Sequence, residues 1–151
     1  MKNLFEKATA DGIRERLQSL RQDSRPVWGT MTAAQMVKHC ARSVEWGVGD
    51  AVPPTAPLPL RILGRVIKPL ALGDERPMRR NSPTVPVLRV QGEPEIGEGR
   101  ERLCALIDRF VEGGAERCTT HRHAIFGKMT PDEWAVLMYN HLDHHLRQFE
   151  V

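Results

Sequence analysis

The stretch TPDEWAVLMYNHLDHHLRQF, Thr130 to Phe149, decides the fold. Its opening carries three helix-start signals: Thr130 as N-cap, Pro131 at the first helical position and Glu133 at the third. At 1.5 Å per residue the helix that follows spans roughly 27 Å. Take His141 as the zero of angle: at about 100° per residue Trp134 falls near +20°, Leu137 near −40° and Met138 near +60°. On the same period Phe149 falls near about +80°, and His145, near about +40°, lies in the middle of this apolar stripe. His144, near about −60°, lies at its edge. Asp132, Asp143, Arg147 and Glu150 occupy the other half, and Asp143 and Arg147 are expected to face water.

Two inward histidines one turn apart are costly as plain core residues. Each neutral ring carries a donor and an acceptor, and both need partners. Either each ring bonds a nearby carboxylate or carbonyl, or the two share a metal through one nitrogen each. A third ligand decides between these readings, and metal sites among packed helices draw ligands from facing helices. His39 is the candidate, in a segment that also holds Gln35, Met36, Ser43 and Trp46. Three protein ligands leave a position for water or substrate, the pattern of catalytic rather than structural sites.

The rest of the chain supplies helices to pack against this one. Residues 3–20 read as an amphipathic helix, with Ile13, Leu17 and Leu20 at helical spacing. A second helix opens at MTAAQ, where Thr32 and Gln35 form a capping-box pattern. It is expected to run to about Val48, weakened by Gly47 and Gly49. AVPPTAPLP, residues 51–59, cannot be regular helix. Residues 60–68 resume helical spacing with Leu60, Leu63, Val66 and Ile67, alongside Arg61, Arg65 and Lys68. Such a segment could lie on a membrane surface; its shortness and Pro69 favour a short core helix with a solvated basic side. Residues 73–94 form a long loop of the kind that often serves as a lid, with room for an extended stretch at 84–90. Residues 98–111 form a strong helix through Leu103, Leu106, Ile107, Phe110 and Val111, closed by Gly113 and Gly114. Four substantial helices, a shorter one and no convincing sheet predict an all-α fold: a single helix-bundle domain over residues 1–151, with long connections.

Bulk properties exclude several classes. The balance of 22 Lys+Arg against 19 Asp+Glu gives a net charge of +3, too little to argue for a nucleic-acid partner. Cys40, Cys104 and Cys118 are odd in number and form no CxxC pair, which fits a reducing compartment. No apolar run reaches the roughly 18 residues that a membrane span needs, and the N-terminus has no signal-like apolar segment. A cytoplasmic protein without a membrane partner is expected. GxGxxG, P-loop and GxSxG patterns are missing, so dinucleotide, P-loop and hydrolase-elbow chemistry lack support.

Three segments carry a family resemblance. MTAAQMVKHC, HAIFGKMTPDEW and HLDHHLRQF resemble, over essentially the full length, the DinB-like superfamily of bacterial helix-bundle proteins. Within it the chain is most similar to a branch known only as a domain of unknown function. The resemblance implies a four-helix bundle, often a homodimer, with a divalent metal held by His39, His141 and His145. Zinc and nickel come first, and iron, copper and manganese are open to the same donors. Gln148 matches the family's glutamine after the last ligand, a supporting or packing position. Some relatives are thiol-dependent enzymes, among them S-transferases and a maleylpyruvate isomerase. The resemblance therefore implies a thiol transferase acting on a small molecule, with a low-molecular-weight thiol as co-substrate. Metal-assisted hydrolysis and a non-enzymatic, stress-related metal- or small-molecule-binding role are the alternatives.

No clear general base stands out, and His144 and His123 are the candidate catalytic residues. Cys118, His121 and His123 could instead bind a metal of their own, but lie in a loop with no distant partner motif. Cys40 reads as a small buried residue rather than a nucleophile. Arg76, Arg79 and Arg80 read first as a solvated basic loop and second as contacts for an anionic thiol or substrate.

Overall fold

The computed structural model describes residues 2–73 and 78–151. Among them are five α-helices and no strand: α1 (Lys7–Ser19), α2 (Ala33–Val48), α3 (Leu58–Leu72), α4 (Ile96–Gly113) and α5 (Pro131–Gln148). Two 3₁₀ turns, Pro86–Leu88 and Gly114–Arg117, sit in the connections. The expected all-α class is what the described residues form. No helix is long and apolar enough to cross a membrane.

α2 and α4 make the most extensive helix pairing, and α5 and α1 close the core around them. Leu103 and Ile107 of α4, Met36, Val37 and Val44 of α2, Ile13 and Leu17 of α1, and Trp134 and Met138 of α5 are almost wholly buried in one cluster. The capping boxes read from Thr32–Gln35 and Thr130–Glu133 are both formed, and they fix where α2 and α5 begin. Fixing the start fixes the angular register of every later residue, His39 on α2 and His141 and His145 on α5 included.

Several local expectations are corrected. α1 starts at Lys7 rather than Asn3; Leu4 and Phe5 form a turn before it, and Leu4, fully buried, bonds the carbonyl of Ala135 through its N–H at 3.0 Å. α2 runs to Val48 as expected, and its two glycines have packing and capping roles. A side chain at Gly47 would meet the Phe110 ring at 3.0 Å, so the glycine lets α4 approach, and Gly49 closes the helix at φ 83°. Residues 84–90 contain a 3₁₀ turn instead of an extended run. Asp143 does not face open water. It pairs with Arg16 of α1 and with Arg147, both at 2.7 Å, and Arg16 also bonds the carbonyl of Val151.

The largest correction concerns α3. Pro69 does not end it; the helix runs on to Leu72. Nor is it a core helix with a solvated basic side. Only Gly64 and Leu72 are buried, and Leu60, Leu63, Val66 and Ile67 are exposed. Lys68 instead turns to the body of the protein, bonding the carbonyl of Lys128 at 2.9 Å and the carboxylate of Glu133 at 2.7 Å.

These two environments predict opposite costs. Leu103→Ala, in the α2–α4 core, is expected to lower unfolding free energy by about 2–5 kcal/mol. Leu63→Ala, on the outer face of α3, is expected to change it by no more than about 0.5 kcal/mol in the single chain. Urea unfolding of the two variants beside the parent chain measures both.

Candidate metal centre

His39 projects from α2, and His141 and His145 from α5, onto one spot. One ring nitrogen from each lies within 4.8 Å of the other two. The ring centroids of the three pairs are 4.7 to 4.9 Å apart. The helical spacing of 141 and 145 stacks two rings on one face, and α2–α5 packing brings the third across 102 residues of sequence.

The surroundings decide where the protons sit. The Nδ1–H of His39 donates to the backbone carbonyl of Leu88 at 3.0 Å. The Nδ1–H of His145 donates to Oε1 of Gln148 at 2.9 Å. The amide of Gln148 is itself oriented, because its Nε2 donates to the carbonyl of Trp28 at 2.7 Å, and a carbonyl can only accept. Gly29 makes room for that bond: with φ at +77° it has no side chain, and a Cβ there would stand 2.7 Å from Nε2 of Gln148. With both Nδ1 atoms protonated, neutral His39 and His145 each keep a bare lone pair on Nε2.

His141 completes the set and exposes its chemistry. Its Nε2 lies 3.0 Å from Nε2 of His39, and its buried Nδ1 has no hydrogen-bond partner. If His141 carries its proton on Nε2, it can donate to His39, but its Nδ1 lone pair is then orphaned. If it carries the proton on Nδ1, that donor is orphaned and two lone pairs face each other. Neither tautomer satisfies every atom. A cation among the three Nε2 atoms removes the lone-pair conflict, so the donor set fits a divalent metal.

Burial keeps the rings neutral, as ligands must be. It holds His141 well below the usual histidine range, with the neighbouring His145 and His39 adding to the effect. Burial also lowers His39, and it lowers His145 to about 3 with help from His39.

The triad lies on the wall of a cavity of about 450 Å³ that Trp28, Trp46, Met31 and Leu88 also line. His144 and His123 line the same cavity. The ring of His144 is tilted 5.7 Å from Trp28, and burial lowers its pKa. His123 is stacked on Phe126 and edge-on to Trp46 and Trp134. Its Nδ1 accepts the backbone N–H groups of Ile125 and Phe126 at 3.2 and 3.1 Å. Burial drives it down to about 4, so the neutral ring offers only an N–H, at Nε2.

The remaining candidates separate. His121 is exposed, and among the described residues Cys118, His121 and His123 form no metal-capable group. The Cys118 thiol is pushed up to about 11 by burial, and that of Cys40, buried beside Met36, is also raised by burial. Arg79 lines the cavity, and the Arg80 guanidinium lies 4.1 Å from the centre of the Trp28 ring. Arg76 lies outside the described residues. The Leu88 carbonyl, Trp28 and Trp46 join the site with no sequence signal that marks them.

Fold and site together define an all-helical protein whose three clustered histidines lie close enough to hold a metal ion beside an apolar-walled cavity. The sequence model of the family described as "Protein of unknown function (DUF1569)" matches residues 4–151, and the chain belongs to that family. No curated protein and no solved structure matches it.

Two outcomes follow from the geometry. Gln148→Leu removes the acceptor that fixes His145, and metal affinity is expected to fall about 10- to 100-fold, as measured by competition titration against a chromophoric chelator. The depressed histidines also set a pH dependence. Their native pKa values lie below the unfolded value near 6.5, so below that pH the unfolded chain takes up protons that the native chain does not. Stability of the metal-free protein is therefore expected to fall as pH drops from about 6.5 toward 4, by up to about 1.4 kcal/mol per pH unit for each such ring. Urea midpoints taken across that interval check the slope, and a flat profile would mean the rings protonate within the fold.

Proposed function

We propose that the chain is a single-domain, DinB-like four-helix-bundle protein whose His39, His141 and His145 hold a divalent metal ion for thiol-transfer chemistry. The core shared by α1, α2, α4 and α5, with α3 set outside it, supports the bundle reading. The observation that carries the metal reading is the meeting of the three rings, two of them locked by Nδ1 bonds that leave Nε2 bare. The resemblance puts zinc and nickel first; three imidazoles suit copper and iron comparably, and manganese could occupy the same donors.

A divalent ion held there supplies Lewis acidity, which lowers the pKa of a thiol or water beside it. The residues do the rest. Trp28, Trp46, Met31 and Leu88 wall a cavity sized for a small molecule. His123, with its Nδ1 lone pair already taken by two backbone N–H groups, acts as a hydrogen-bond donor from Nε2 to the electrophilic substrate. It is therefore unsuited to be a general base, for a water or for a thiol. His144, beside Trp28 at the cavity wall, is the group that would relay a proton.

The test uses protein purified without a histidine tag or a nickel column. Elemental analysis is expected to find close to one equivalent of a divalent metal per chain, lost in His39→Ala and in His141→Ala. The cobalt form is expected to change its visible spectrum when a low-molecular-weight thiol such as cysteine or glutathione is added. Uptake of metal with no spectral response to any thiol would remove thiol transfer and leave a binding protein. Failure to take up metal on titration would remove the site.

A further inference from the structure

The cavity beside the triad carries charge of one sign. Among the described residues that line it none is an aspartate or a glutamate, and one, Arg79, is a cation. Two further cations act on its wall. The Arg80 guanidinium lies 4.1 Å from the centre of the Trp28 ring. Burial lowers the pKa of His144 on the wall, Asp143 opposes the shift and the charge of Arg80 adds to it. At His123, on the same wall, burial sets the low pKa of about 4 and the charge of Lys68 adds to it. The carboxylates that neighbour these groups are already paired, Asp143 with Arg16 and Arg147, and Glu133 with Lys68.

The fixed hydrogen-bonding groups share the bias. His123 presents only an N–H, and the Gln148 amide spends its oxygen on His145 and its nitrogen on the Trp28 carbonyl. A cationic ligand would therefore lose water without gaining a counter-charge, and Arg79, Arg80 and Lys68 would all repel it. An anionic ligand is attracted by all three. The kind of anion follows from how few groups could hold it. A phosphate is commonly seated on the first N–H groups of a helix, and no α-helix begins among the lining residues. One guanidinium fork instead matches the two oxygens of a planar carboxylate. The apolar wall of Trp28, Trp46, Met31 and Ile125 suits the rest of such a molecule. We infer that the cavity selects an organic carboxylate with an apolar body, its carboxylate at Arg79 and its body against the tryptophans. This rests on the cavity being the substrate site, as proposed above, and on neither the metal nor the thiol.

Calorimetric titration of the full chain tests it, with phenylacetate, phenylacetamide and 2-phenylethylamine as probes of similar shape and different charge. The protein is used metal-free and without thiol, because a bound cation would itself attract a carboxylate and hide the part played by Arg79. Quenching of tryptophan fluorescence in the same titration reports binding at Trp28 and Trp46. Phenylacetate is expected to bind at least about tenfold more tightly than the amide, and the amine not detectably. Arg79→Gln is expected to bring the carboxylate within about threefold of the amide, with helical circular dichroism unchanged because Arg79 is exposed. Arg79→Lys, which keeps the charge and loses the fork, is expected to fall between the two. Arg21→Gln, the same loss of charge at an exposed position outside the cavity, is expected to keep the full preference. Equal binding of carboxylate and amide overturns the inference, as does tighter binding of the amine. So does a preference that survives Arg79→Gln, or no binding of any probe at millimolar concentration. A chain that takes up no metal but keeps the carboxylate preference loses the metal reading and retains this one.

Discussion

Two hydrogen bonds made on the far side of two imidazoles govern this molecule. The carbonyl of Leu88 and the amide oxygen of Gln148 take the Nδ1 protons of His39 and His145, and so turn two Nε2 lone pairs toward His141. Without these anchors each ring could place its proton on either nitrogen and the three would settle into an ordinary hydrogen-bonded chain. With them, His141 is left with no tautomer that satisfies both of its nitrogens. An unsatisfied buried polar atom costs about 1–3 kcal/mol; a cation among the Nε2 atoms would relieve the facing lone pairs, while Nδ1 of His141 stays without a partner. Much of the architecture serves to keep the anchors in place. Arg42, one turn beyond His39, donates to the carbonyls of Val87 and Arg89 and so clamps the 3₁₀ turn that carries Leu88. Gln148 is clamped in turn by the Trp28 carbonyl, which the glycine after it allows to come close.

The same burial that sets the conflict sets the electrostatics. Protonating any of the three rings would place a charge beside two other histidines in a desolvated position, which is why burial heads the causes of each depressed pKa. Neutral rings are the ligand form, so a metal meets no competing proton near neutral pH. His123 shows the same logic applied differently. Its burial among Trp46, Phe126 and Trp134 keeps it neutral, but its lone pair is spent on the backbone of the turn that holds it. Two histidines on one cavity thus differ in what they present to it, a bare Nε2 lone pair at His145 and an Nε2–H at His123, because different groups bond Nδ1.

What was legible in the sequence follows from which interactions are periodic. The 3.6-residue period placed His141 and His145 inward and His144 at the edge, because α5 is a regular helix with a well-marked start. The all-helical class followed from the same signal in α1, α2 and α4. Asp143 was misplaced because its angle gives only the helix side, and the arrival of Arg16 from α1 turned that side into an ion-pair site. The Leu88 carbonyl was illegible because every residue has one; only the 3₁₀ turn distinguishes it. His39 is intermediate. Its helix was readable, but the pairing that carries it to α5 is a tertiary fact.

α3 marks the limit of the period argument most sharply. A hydrophobic stripe says that a helix will bury one face, and it does not say against what. The reading of α3 as a core helix assumed that the partner lies within the chain. The structure instead spends the basic edge on the chain and leaves the stripe free. The connection matters for the site because Glu133, which accepts from Lys68, also closes the capping box at the start of α5 through the N–H of Thr130 at 2.8 Å. Further along, the side-chain amide of Asn140, immediately before His141, donates to the carbonyl of Ala71 at 3.5 Å. The helix that bears two of the three histidines is therefore held at its start and beside its first histidine by the helix whose outer face is open.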